Sequence, residues 1–222
     1  MYQELDPRRG PLSREEKGFL FIFVLIVLGL FTAEVVTDYT PQKLAIVFFM
    51  VFWVPMLVIH ELGHAAMAWF LGWHVGEIVI GMGRAVKSFW LGGAYVEIRM
   101  LPLTGFVRSV PRDLKWPRLK LALIYLAGPG IEFVVALTLL VIVGSETMFT
   151  ASNDYGIIAI QTCALVATIG TVMNIIPQIA RTPEGWLAND GLGFFRSFFL
   201  PIEVFESMLG WKYRPNDRRW DT

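Results

Sequence analysis

Residues 58–69 read VIHELGHAAMAW, two imidazoles and a carboxylate inside a stretch otherwise fit for lipid. Ionisable groups at membrane depth are costly and point to function by default. His60 and His64 stand four apart, so on a helix both rings project from one face and can share one cation. Glu61 follows the first histidine, where it can polarise water held at that cation and carry a proton to a leaving amine. The competing reading is a cluster that merely packs helices together, and it must explain three titratable groups in a hydrophobic span. A metal removes the difficulty, because it makes the buried polar groups ligands.

Two imidazoles leave a catalytic zinc one protein ligand short. His74 lies ten residues after His64 in GWHVGE, just past the apolar run, and reads as an interfacial histidine. The extended metzincin pattern needs a histidine six after His64, and that position is Phe70. The carboxylates left as candidates are Glu77, Glu97, Asp113, Glu132, Glu184 and Asp190. Asp190 stands in ANDGLG, and Asp before Gly is equally an ordinary turn dipeptide.

The elements that must hold these groups are membrane spans. The chain has 222 residues, 55% of them hydrophobic, and a mean hydropathy of +0.55. Its apolar residues lie in long runs, unlike those of an ordinary soluble domain. Four stretches reach the length of about 20 apolar residues that a bilayer core of ~30 Å requires: 19–36, 44–71, 119–144 and 156–177. The fourth is rich in small and hydroxyl residues, which suits a helix packed among others. Residues 1–18 form a polar, mixed-charge arm and do not read as a cleavable signal. Nineteen basic and nineteen acidic residues cancel, so no global charge argues for nucleic acid. The single cysteine, Cys163, rules out an internal disulfide.

Orientation follows from the basic residues. Arg8, Arg9, Arg14 and Lys17 precede the first span, eight more fall between Arg84 and Lys120, and Lys212, Arg214, Arg218 and Arg219 lie in the tail. The two opposite loops hold only Lys43. Both termini and the 72–118 segment are therefore expected on the cytoplasmic side. His60 is 17 residues beyond Lys43, about 25 Å along a helix, which puts the metal towards that side. Pro55 leaves the carbonyl of Val51 without its helical donor, easing water access to a dry layer.

Residues 75–110 do not read as a helix. Short β-favouring runs at Glu77–Ile80, Ser88–Leu91, Ala94–Met100 and Gly105–Val110 are split by glycine, and LGGA at 91–94 is a hairpin signal. Further on, 192–210 places Phe194, Phe195, Phe198, Phe199, Ile202, Phe205 and Leu209 roughly on one side. Pro201 bends that stretch, which reads as interfacial rather than spanning. No internal repeat or low-complexity tract is present.

In order along residues 45–195, HELGH in a span, IGMGR, RMLPLTGFV, LAGPG, MNIIP and NDG together resemble the site-2 proteases, zinc metalloproteases that cut within membranes. The resemblance implies that Asp190 is the third ligand of one zinc ion per chain, with Glu61 the catalytic base. It implies that Asn174 helps to hold the substrate or its oxyanion, and that 75–110 is a membrane-associated β region presenting the substrate. Two departures stand out. The gap between NIIP and DG is long and holds QIARTPEGWLAN, with Asn189 where Leu is frequent, so Glu184 stays in reserve as the third ligand. Glu132 occupies a position where the family often has Asn. It could be a protonated group behind the ligands, a substrate contact, or a partner for a neighbouring helix.

The expected fold is an α-helical polytopic membrane protein. It has about four transmembrane helices, a small β region between helices 2 and 3, and a C-terminal interfacial helix. The arm is 1–18, the metalloprotease core 19–191, and the amphipathic helix and basic tail 192–222. The expected partners are the lipid bilayer and a transmembrane segment of a substrate, with no nucleic acid and with homo-oligomerisation left open. A helix that must be cut has to be unwound, and an exposed strand edge could hold it extended by backbone pairing. Two other functions compete: a catalytically silent adaptor or chaperone that holds membrane helices, and a metal transporter. Glu61 weighs against the first, and the lack of acidic or His-rich loops against the second.

Overall fold

The computed structural model describes residues 37–182 and 185–209, together with Ile22, Gly29, Thr32 and Ala33. Most of the expected first span, the 1–18 arm, Glu184 and the basic tail lie outside the described residues. Among those described, three helices are long and apolar enough to cross a membrane. The first is α1 (Ala45–Phe70), entered through a 3-10 turn at Pro41–Leu44. The others are α2 (Pro117–Val143) and α4 (Tyr155–Ile175), with a short α3 (Ser145–Phe149) between them. Val, Ile, Phe and Trp dominate α1, and they are only middling helix formers in water. In lipid the choice is different, because a helix alone satisfies every backbone group within one segment.

The three helices meet through small residues and a few directed bonds. Met56, Val166 and Ala167 form a buried cluster between α1 and α4, with Phe49, Phe52, Trp53, Ile59 and Cys163 against it. Pro129 stands inside α2 and cannot donate to the carbonyl one turn back. Its own carbonyl accepts from Thr171 Oγ1 of α4 at 3.2 Å, a cross-helix bond of the kind that substitutes for hydrophobic driving force in a membrane.

Between α1 and α2 the chain forms two long antiparallel strands, β1 (His74–Leu91) and β2 (Ala94–Val110). They turn at Gly92 and Gly93, with φ of 57° and 86°, the double positive φ that a two-residue hairpin turn asks of its central residues. The four short runs expected from sequence are therefore continuous as two strands, but their pairing still reflects four segments. Residues 77–80 are registered against 105–108 and also against 95–98, while 85–91 pair with 94–99. Residues 77–80 thus have neighbours on both sides, and 75–81 are buried throughout. The sheet packs on the end of α1 through Ala65, Ala68, Trp73, Val75, Ile78, Ile80 and Val96.

After α4 comes a small hairpin that the sequence did not announce, β3 (Ile179–Thr182) with β4 (Gly185–Ala188). It takes up the long gap between NIIP and DG. The expected single C-terminal helix is instead two, α5 (Asp190–Ser197) and α6 (Ile202–Met208). Pro201 caps the second, since it lacks an N–H and disfavours helical backbone in the residue before it. Phe205 of α6 is fully buried and meets Trp73 edge-on, with ring centroids 6.5 Å apart.

Candidate metal centre

His60, Glu61 and His64 lie on α1 and are 5%, 4% and 6% exposed. Asp190 opens α5 and comes to the two histidines from across the fold. Its Oδ2 is 2.9 Å from His60 Nε2 and 3.3 Å from His64 Nε2, and the two Nε2 atoms are 3.1 Å apart.

The tautomer of His64 is fixed from behind. Its Nδ1 is 2.6 Å from the carbonyl of Ile124, and a carbonyl can only accept, so Nδ1 carries the proton and Nε2 the lone pair. The Nε2 atoms of two imidazoles and a carboxylate oxygen thus face one another at edges of 2.9–3.3 Å. Tetrahedral zinc with ligands at 2.0–2.1 Å has ligand–ligand edges of about 3.3 Å. Three such ligand atoms so close together could hold a cation between them.

The space for it is cleared by glycine. A Cβ built on Gly128 of α2 would collide with His64 Nε2 and come within 2.7 Å of His60 Nε2. One on Gly105 of β2 would lie 2.6 Å from Glu61 Oε1. Glu61 Oε2 is buried and has no hydrogen-bond partner, so this carboxylate is not consumed by a structural bond. These glycines were not singled out from the sequence, although both fall in motifs, LAGPG and RMLPLTGFV, that were.

Asp190 is set in place largely by Asn189. The Asn189 side chain accepts from the N–H of Gln178 at 2.9 Å and caps α5 by accepting from Leu192 N–H at 3.2 Å. Its Nδ2 donates to the carbonyls of Met173 and Ile176 at 2.9 and 2.6 Å. Those belong to the end of α4, where helix carbonyls have no partner of their own. Gly191 adds to the join, because a Cβ there would collide with the Ile175 carbonyl. The asparagine that looked like a departure is thus a clamp between the end of α4 and the helix that carries Asp190.

The remaining candidates have other work. Glu77 pairs with Arg108 and Glu97 with Arg99, each at 3.2 Å. Asp113 meets Lys120 Nζ at 3.0 Å and the N–H of Lys115, which together hold its carboxyl below the usual carboxylate range. Asn174 donates from Nδ2 to the carbonyl of Gly170, one turn back in α4, at 3.0 Å. Glu132 is 4% exposed and reaches His60 from the side opposite Asp190.

Residues 47–195 match peptidase family M50. The zinc metalloprotease RasP of Geobacillus kaustophilus is 38% identical over 76 residues, which cover 34% of this chain and 18% of RasP. "Putative zinc metalloprotease Cj1068" of Campylobacter jejuni is 26% identical over 162 residues, 67% of this chain and 42% of that protein. The matched part of the chain therefore spans less than half the length of either relative. The chain belongs to peptidase family M50, the site-2 proteases.

Proposed function

We propose that this protein is a membrane-embedded zinc endopeptidase that hydrolyses peptide bonds in transmembrane segments of other proteins. The observation that carries the proposal is the meeting of His60, His64 and Asp190 beside Glu61, a buried carboxylate with one oxygen unpartnered. These three side chains would hold one zinc ion, which when bound supplies Lewis acidity towards a carbonyl oxygen and a water. Glu61 takes the proton of the attacking water and delivers it to the leaving amine.

The β region supports a route for the substrate. Among the described residues, 105–110 are registered with 74–80 along one edge only. An extended peptide pairing with the other edge gains backbone hydrogen bonds that replace those of its lost helix. Gly105, at the start of that segment, packs directly on Glu61, so a peptide held there runs past the catalytic carboxylate. Asn174 Nδ2 gives one hydrogen to the Gly170 carbonyl and keeps a second with which to hold the substrate or its oxyanion.

Zinc-loaded protein in proteoliposomes should cut a synthetic transmembrane peptide within its spanning segment, near the cytoplasmic side, and a zinc chelator should stop it. Stoichiometric zinc without any cleavage would instead favour the adaptor that binds membrane helices.

We also propose four spans, with both termini and the 72–118 segment on the cytoplasmic side, from the placement of Lys and Arg. Cysteines introduced at Leu5, Lys115 and Arg218 should all be labelled from that side. Efficient labelling of the Lys115 position from the opposite side would overturn the topology and move the metal with it.

A further inference from the structure

We infer that Glu132 is a positioning residue for the metal centre, holding His60 from behind so that its Nε2 faces the other two ligands. The inference rests on the reading of His60, His64 and Asp190 as a zinc site and deepens it. Sequence alone left three roles open for this carboxylate. The geometry points to one.

Glu132 Oε2 is 3.1 Å from His60 Nδ1, and the two side chains are 5% and 6% exposed. Both atoms are buried, and neither has an aligned hydrogen bond to any other group. The pair is at ion-pair distance but off the angle of a hydrogen bond, and a turn about the broad terminal torsion of the Glu side chain corrects that. No lysine or arginine pairs with Glu132 among the described residues. A buried carboxylate and a buried imidazole N–H without other partners each cost free energy, and each relieves the other.

Glu132 is also held in place. A Cβ on Gly170 of α4 would lie 2.7 Å from Glu132 Cδ, so the carboxyl is seated against bare backbone and has little room to swing away. The two histidines are then supported differently. Behind His64 is the neutral carbonyl of Ile124, whereas behind His60 is an acid. A carboxylate on Nδ1 fixes the ring orientation and makes the imidazole a stronger ligand. It also adds a carboxylate to those of Asp190 and Glu61 around the place where a dication would be held.

Chelator competition on the full chain in detergent measures the effect, with wild type, Glu132→Gln, Glu132→Ala and Asp190→Ala compared. Asp190→Ala should lose stoichiometric zinc. Glu132→Ala should weaken zinc by about 10–100-fold. Glu132→Gln keeps the volume and one acceptor oxygen, so it should weaken zinc less, and it decides the matter if the Ala variant does not fold. In both, the visible spectrum of the cobalt-substituted protein should shift, which mere loosening of α2 against α4 would not cause. Zinc affinity within about twofold of wild type and an unchanged cobalt spectrum in Glu132→Gln and Glu132→Ala would overturn the positioning role. Wild-type affinity in Asp190→Ala is a different result: it would overturn the metal centre itself, and the role of Glu132 with it.

Discussion

Glu61→Gln should retain stoichiometric zinc and lose about 10²–10⁴-fold in the rate of peptide cleavage, the usual cost of removing a general base. The substitution keeps the size of the side chain, so the tight contact with Gly105 is undisturbed. It replaces an unpartnered buried carboxylate oxygen with a neutral amide, which cannot take a proton from water. Folding should be unharmed, because no ion pair or hydrogen bond to that oxygen is broken. Zinc should be unharmed as well, because Glu61 is outside the trio whose ligand atoms converge. The variant should therefore bind a transmembrane substrate and hold it uncut, which co-purification with that substrate would detect. Cleavage at the wild-type rate would sink the protease mechanism. Loss of zinc together with cleavage would show that Glu61 helps to hold the metal.

The parts of the site that were legible in the sequence are those governed by local periodicity. His60 and His64 share a face because a helix repeats every 3.6 residues, and three of the four expected spans were readable as long apolar helices because length and apolarity decide what can cross a bilayer. The turn at Gly92 and Gly93 was legible for a similar reason, since few other pairs accept two positive φ values. What escaped depends on which surfaces meet. A glycine in an apolar run reads as a weak helix position, and nothing local says that Gly128 faces two imidazoles or that Gly170 seats Glu132. Asn189 looked like an irregularity in a motif, yet its four short bonds reach residues 11 to 16 positions back as well as its own helix. The sequence offered six carboxylates with no way to rank them by contact. In the fold, Glu77, Glu97 and Asp113 are matched with nearby cations, and Asp190 is brought to His60 across 130 positions of chain.

Gly128→Ala should abolish stoichiometric zinc binding, and with it all cleavage. The added methyl falls in the gap between the histidines, colliding with His64 Nε2 and lying 2.7 Å from His60 Nε2. Relief is hard to find. The rings are anchored on α1, His64 is tied to the Ile124 carbonyl on the same helix as Gly128, and α2 cannot withdraw without opening its contacts with α1. Two other glycines on these helices separate this effect from ordinary packing. Gly130 is two residues further along α2, and a Cβ there meets nothing within 4 Å. Gly130→Ala should keep zinc, with stability unchanged or raised by up to about 1 kcal/mol from helix propensity. Gly63 of α1 is packed on α2, with a built Cβ 2.8 Å from the Ala127 carbonyl and 3.0 Å from Ile131 Cγ2. Gly63→Ala should lower the melting temperature by pushing the two helices apart, yet still take up one zinc per chain. Measured by metal content and thermal unfolding, the three variants give distinct patterns if Gly128 clears the space for the ion. If Gly128→Ala instead behaves like Gly63→Ala, less stable but still loaded with zinc, then Gly128 serves helix packing and the ion lies elsewhere.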